Sequence, residues 1–305
     1  MGRSRELAEL ATAYDSGSLG FRNRIINGCM RVAQRGTSFT NVDGYKLDRW
    51  VVGNPSTNSV AQLWDATMRM FVMDITTSAA WGTFQWIENL NVRDLASGST
   101  VAVSYWCNTE SGNFNIRTSN VGQTNYATTT IETRSGWFRR FAVVTIDSSQ
   151  ANDIASGGHL RLTIEPGVNS FKITGVQLEA GSVATPFEVR PIGTELMLCQ
   201  RYYYRLTAAT AFANAGTGRA YSTTNGQAVI AMPVSMRAAP TGAVSNVSHW
   251  NGAGGSITSM NPVSQYSGDF RQMTVDITSP FTSGQTVILN ANNTTSAWID
   301  WSAEL

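Results

Sequence analysis

From Phe21 onward, apolar and polar residues alternate with a period of two, in short runs broken by Gly, Ser, Asn and Asp. Successive side chains on a strand point to opposite faces, so this period builds sheets, and no long helical pattern interrupts it. The expected strands are Tyr45–Val52, Leu63–Asp74, Gly82–Ile87, Thr100–Trp106, Asn113–Thr118, Ala127–Glu132, Trp137–Ile146, His159–Glu165 and Phe171–Leu178. Gly98, Gly112, Gly136 and the pair Gly157-Gly158 punctuate them as turns. Strands at this spacing predict an antiparallel β-sandwich or jelly roll.

A break follows at Ala180–Pro191, AGSVATPFEVRP, which holds two prolines and a glycine. A short helix is expected at Thr194–Gln200, leading into Arg201-Tyr202-Tyr203-Tyr204-Arg205. Residues 206–305 again read as short strands, now almost without charge; Asn225-Gly226 signals a type I′ hairpin and Ala297–Ala303 the last strand. Ahead of both β regions, Ser4 can cap a short helix whose Leu7, Leu10 and Tyr14 fall at i, i+3 and i+7 on one stripe. Such a helix is too short to stand alone, so it docks on its own domain or serves as an anchor or trimerising segment. The expected fold class is all-β: a helical anchor at 1–20, a jelly roll at 21–192 and a smaller β-domain at 193–305.

Composition narrows the function. Charged residues are 14% and the net charge is +1, which excludes a strongly basic nucleic-acid binder, while 42% hydrophobic content excludes ordinary disorder. Lys46 and Lys172 are the only lysines among 22 basic residues. Arginine forks suit interfaces, and so low a surface charge suits a subunit of an assembly. No apolar run approaches the ~18 residues of a membrane span, and MGRSRELAEL lacks the apolar core of a signal peptide. No membrane insertion and synthesis in a reducing cytoplasm are expected. Cys29, Cys107 and Cys199 have neither disulfide-framework nor zinc spacing and read as buried free thiols.

Three stretches are not generic: FRNRIINGCMRVAQR at Phe21–Arg35, continued by Gly36-Thr37-Ser38-Phe39, Tyr45 and Asp48-Arg49-Trp50; FKITGVQLEAGSVATPFEVRP at Phe171–Pro191; and Glu195–Tyr203. Together with SRELAELATAYDS at Ser4–Ser16 they resemble bacteriophage tail-fibre or tailspike-type proteins, of the T7-like kind, with a carbohydrate-binding-module-like jelly roll. The resemblance brackets residues 4–205. It implies a homotrimer on the virion, made in the host bacterial cytoplasm. Residues 1–20, through Leu7, Leu10 and Tyr14, would dock on a phage tail or other virion protein, and the distal domain would meet host-surface glycan. Tyr202, Tyr203 and Tyr204, flanked by two arginines, are expected to form a stacked collar in that trimer.

No enzyme is expected. Glycoside hydrolysis needs two carboxylates flanking a cleft, and no spacing singles out a pair among Asp43, Asp48, Asp65, Asp74, Glu88, Asp94, Glu110 and Glu132. His159 and His249 are the only histidines, His159 reading as structural, and no cofactor or metal motif is present. The sequons Asn246-Val247-Ser248 and Asn293-Thr294-Thr295 would go unused in a bacterial host. Binding remains, and aromatic faces among amide and hydroxyl side chains suit sugars. Trp50, Trp106, Trp137, Trp298 and Trp301 are expected in cores. The expected site is the uncharged loop 246–267 with His249, Trp250, Asn251 and Tyr266, for which a trimer contact is the competing reading. Trp81 and Trp86 form a second patch. The main alternative is a purely structural virion component, such as a head fibre, decoration or tail-nozzle protein; a polysaccharide-cleaving tailspike comes third. Carboxyl-terminal truncation near Arg205 separates the expected distal site from the jelly roll.

Overall fold

The computed structural model describes residues 21–40, 43–53, 59–77, 82–109, 113–122, 124–165, 167–250, 255–256, 259–267 and 272–305. The expected helix with Leu7, Leu10 and Tyr14 lies outside them, as do Trp81 and Asn251. The chain divides into two units, Met1–Ile192 and Gly193–Leu305. All described strand pairs are antiparallel, so the all-β expectation holds. No helix among the described residues is long and apolar enough to cross a membrane.

The first unit comprises β1 (Ser38–Thr40), β2 (Gly44–Tyr45), β3 (Val51–Val52), β4 (Ser59–Asp65), β5 (Met70–Thr76), β6 (Thr83–Ile87), β7 (Thr100–Cys107), β8 (Asn113–Thr118), β9 (Thr124–Ala127), β10 (Thr129–Arg134), β11 (Trp137–Thr145), β12 (Leu160–Glu165) and β13 (Ser170–Ala180). They form two sheets, β1-β4-β5-β13-β7-β11-β10 and β2-β3-β6-β12-β8-β9. Inward residues of both, among them Val103, Tyr105, Phe114, Ile116, Leu162 and Ile173, form one buried core. Trp50 joins it from the turn between β2 and β3, where its Nε1–H donates to the Asn27 carbonyl at 2.9 Å.

Tyr45–Val52, expected as one strand, is two short strands, β2 and β3, paired antiparallel, and a second expectation fails for a local reason. Leu63–Asp74 is a hairpin rather than one strand, because Asp65 Oδ1 accepts from the N–H groups of Thr67 and Met68, each at 2.9 Å, and turns the chain. Residues after β11 form a helix, α1 (Ser148–Ala155), closed at its start by a reciprocal capping box between Asp147 and Gln150.

The second unit begins with α2 (Ile192–Gln200) and continues through β14 (Tyr203–Thr207), β15 (Asn214–Ala220), β16 (Asn225–Ala231), β17 (Thr241–Ser245), β18 (Val247–Trp250), β19 (Gly255–Ser256), β20 (Ser259–Ser267), β21 (Gln272–Thr278), β22 (Thr286–Ala291) and β23 (Trp298–Ser302). The sheets are β14-β23-β17 and β19-β18-β22-β15-β16-β21-β20, with Met273, Val275, Leu289, Ile299 and Trp301 in the core. Asn225-Gly226 is not the hairpin turn. Ser222 Oγ accepts from the N–H groups of Thr224 and Asn225, so the turn closes one step earlier, and Gly226 pairs with Ala220 inside the ladder. The stretch 246–267 is likewise not a loop: its described residues lie mostly in β18, β19 and β20.

Candidate functional site

The segments that carry the fibre resemblance are occupied in closing the first unit. A bulge at Thr174–Gln177 in β13 releases Val176 from the ladder. Its N–H then donates to the Gly28 carbonyl at 2.9 Å, and its own carbonyl accepts from Asn23 Nδ2 at 2.9 Å. Asn23 Oδ1 takes the N–H groups of Ile25 and Leu178, while Gln85 bonds both the N–H and the carbonyl of Ile26. From the exit segment, Glu188 accepts from the N–H groups of Phe21 (3.0 Å) and Asn23 (2.7 Å), and Arg190 donates to the carbonyls of Asn23 and Ile25. Buried backbone groups need partners, and these side chains supply them where no strand can. Glu179 accepts from Thr185 through its N–H and hydroxyl. That same segment lies over the outer face of the larger sheet, where Arg139 donates to the Thr185 carbonyl.

The outer face of the smaller sheet has a different character. Along β6, Thr83, Gln85 and Ile87 turn inward, which leaves Phe84 and Trp86 outside. Register then builds a row: Trp86 stands opposite Arg161 of β12, and Arg161 opposite Arg117 of β8. In the next row Phe84 faces Thr163, and Thr163 faces Asn115. The Arg117 and Arg161 guanidinium carbons lie 5.3 and 5.6 Å from the Trp86 ring centre, and Arg161 lies 4.7 Å from that of Phe84. These are cation–π distances. Asn115 Nδ2 donates to Glu165 at 2.7 Å, which fixes the nearest acid of β12.

Polar capacity on this face is unspent. Among the described residues, Nε of Arg117, Nε of Arg161, Oγ1 of Thr163 and Oδ1 of Asn115 are buried without a hydrogen-bond partner. Native interiors leave few such atoms. Burial, then the charge of Arg117, pushes the Arg161 guanidinium pKa down, against the upward pull of Glu165. The face is thus an aromatic-backed pair of cations set among amides and hydroxyls.

The residues expected from sequence distribute unevenly. Trp86 sits at the centre of this face. His249 is only 2% exposed, with its ring edge-on to Phe281 at 4.8 Å, so it is a core residue and cannot display a polar contact. Burial lowers its pKa, and neither ring nitrogen has a partner among the described residues. Trp250, its neighbour on β18, points the other way and is 51% exposed. Tyr266 contributes backbone to β20, opposite Met273. Tyr202 and Tyr203, expected in the collar, are buried. Tyr203 Oη–H donates to Asp300 at 2.6 Å, Arg205 pairs with the same carboxylate at 2.8 Å, and Tyr204 stacks on Trp301. Trp106, Trp137 and Trp301 are buried as expected, whereas Trp298 is half-buried beneath Arg205. His159 is structural, its Nδ1 accepting from the Asn89 N–H. Among the expected carboxylates, Asp48 is held by Gln34, Asp65 by its turn, and Asp94 by Arg24 at 2.5 Å. Cys107 and Cys199 are buried and Cys29 is half-buried, with no disulfide among them. The second unit also carries a shallow hollow lined by Leu206, Asn214, Val247, Asn290 and Trp298.

Sequence reasoning found Trp86 but not Arg117, Arg161 or Thr163. The available signal was the strand alternation itself: Arg117 and Arg161 each occupy an outward position of an alternating run, NFNIRT and LRLTIE.

No protein-family model matches the chain, and no curated protein matches it. Among solved structures, the CBM22-1 xylan-binding domain of a Paenibacillus barcinonensis protein is 13% identical, covering 48% of this chain and 94% of that one at a TM-score of 0.30. A putative sugar binding protein of Bacteroides thetaiotaomicron is 11% identical, covering 52% and 100% at a TM-score of 0.32. A cyclase from Fischerella sp. is 12% identical, covering 52% and 95% at 0.36. Likenesses this remote include both binding proteins and an enzyme, and nothing about this chain's ligand follows from them.

Proposed function

We propose that the chain is a non-enzymatic glycan-binding fibre protein that attaches a phage particle to its host, and that the Trp86 face is its binding surface. The observation that carries this reading is the row Trp86–Arg161–Arg117, in which two cations are held against an aromatic ring with their hydrogen-bonding capacity unspent. Sugars take such a surface through C–H faces on rings and hydroxyls on guanidinium and amide groups. The carboxylates held in turns and ion pairs sit on separate loops, which gives a hydrolytic pair no support. The fibre resemblance adds the assembly: a homotrimer, docked through residues 1–20 on the tail or another virion protein, in which three weak sites act together.

The test is binding of the full chain to an array of bacterial surface polysaccharides. Trp86→Ala should weaken binding by at least about tenfold at an unchanged melting temperature, while Trp250→Ala leaves it unaltered. A Trp86→Ala protein that binds as well as the parent, or a parent that binds no glycan, overturns the reading.

A further inference from the structure

We infer that the glycan recognised by the Trp86 face is acidic, and that Arg117 and Arg161 together grip a sugar carboxylate. The inference rests on the glycan-binding reading and names its substrate class. Neither guanidinium makes a hydrogen bond or ion pair with any described residue, although each carries five N–H donors. Other arginines of the first unit are consumed: Arg24 by Asp94, Arg139 by Ser104 and Thr185, Arg140 by Thr130 and Thr109. Two like charges are brought onto one aromatic ring, at 5.3 and 5.6 Å, with Glu165 already engaged by Asn115. Such a pair is costly in the empty protein and is relieved by an anion between them. A planar carboxylate matches the guanidinium fork with two parallel hydrogen bonds, which neither a neutral hydroxyl nor an ammonium does.

The experiment is calorimetric titration of the full chain with uronate-containing oligosaccharides, each beside its carboxyl-reduced counterpart and a sulfated neutral analogue. The carboxylated member of one pair should bind at least about tenfold more tightly than its reduced form, and the advantage should shrink as salt rises. Arg161→Lys, which keeps the charge and loses the fork, should remove most of that advantage with the thermal melt unchanged. Equal binding of carboxylated and reduced forms overturns the acidic inference while the glycan reading stands. Preference for the sulfated analogue alone overturns the carboxylate. Binding of none, neutral or acidic, overturns both. The wild-type comparison of carboxylated with reduced ligand decides the matter even if the arginine variant fails to fold.

Discussion

Gly28 shows how one residue can decide whether the first unit closes. A Cβ at that position would lie inside the contact radius of the Val176 carbonyl oxygen, backbone that cannot move without breaking the bulge in β13. Gly28→Ala should therefore cost about 3 kcal/mol or more, read by denaturant unfolding of the first unit. His249 makes the opposite case. Its ring is buried beside Phe281 with no polar partner among the described residues, so Phe of similar shape should raise stability by about 1 kcal/mol. The sign of its pH effect follows from its lowered pKa. The unfolded chain takes up a proton as pH falls below the ordinary 6.5, the folded chain does not, and stability complete above that value declines beneath it. Unfolding midpoints at pH 7.5 and 5.5, compared between the wild type and His249→Phe, isolate this contribution; equal pH dependence in both refutes it.

At the scale of elements, α1 hangs on its first turn. Asp147 Oδ1 accepts from the Gln150 N–H at 2.8 Å, and Gln150 returns a bond to the Asp147 N–H, so Asp147→Ala should cost about 1 kcal/mol in urea unfolding. That helix shows where sequence reading stops. Strands such as Asn113–Thr118 declare themselves because their alternation is uninterrupted, whereas an eight-residue helix has too few turns to show a period. Asp65 was invisible in another way: its run reads as one strand, and only the side-chain bonds to Thr67 and Met68 show the reversal. The candidate face was half legible. An outward aromatic on β6 can be picked from alternation, but Arg161 joins it through a pairing 75 positions from Trp86, and Arg117 through one 44 positions from Arg161, both set by register. The burial of His249 depends likewise on Phe281, which no local pattern connects to it.

At the scale of the whole molecule, the two units have separate cores, one from Ile25 to Leu178 and one from Ala220 to Ala303. Each contains its own complete sheets, so a chain of residues 21–192 should unfold cooperatively by itself. It should also keep the glycan affinity of one full-length site, measured by calorimetry on both. Loss of binding with the shorter chain still folded would move the receptor surface to the second unit, where Trp250 is displayed.

The clasp between Phe21–Asn27 and Glu188–Arg190 has a mechanical consequence. The two ends of the described part of the first unit meet at one spot: the Arg190 guanidinium carbon lies 5.6 Å from the Phe21 ring centre, and Glu188 holds the Phe21 N–H at 3.0 Å. Tension transmitted along the backbone from one side of the sandwich to the other would cross that gap directly, through Glu188, Arg190 and the amide of Asn23. The sandwich then hangs beside the line of load like a pendant on a cord, and its sheets, with the face they carry, stay undeformed while the cord is pulled.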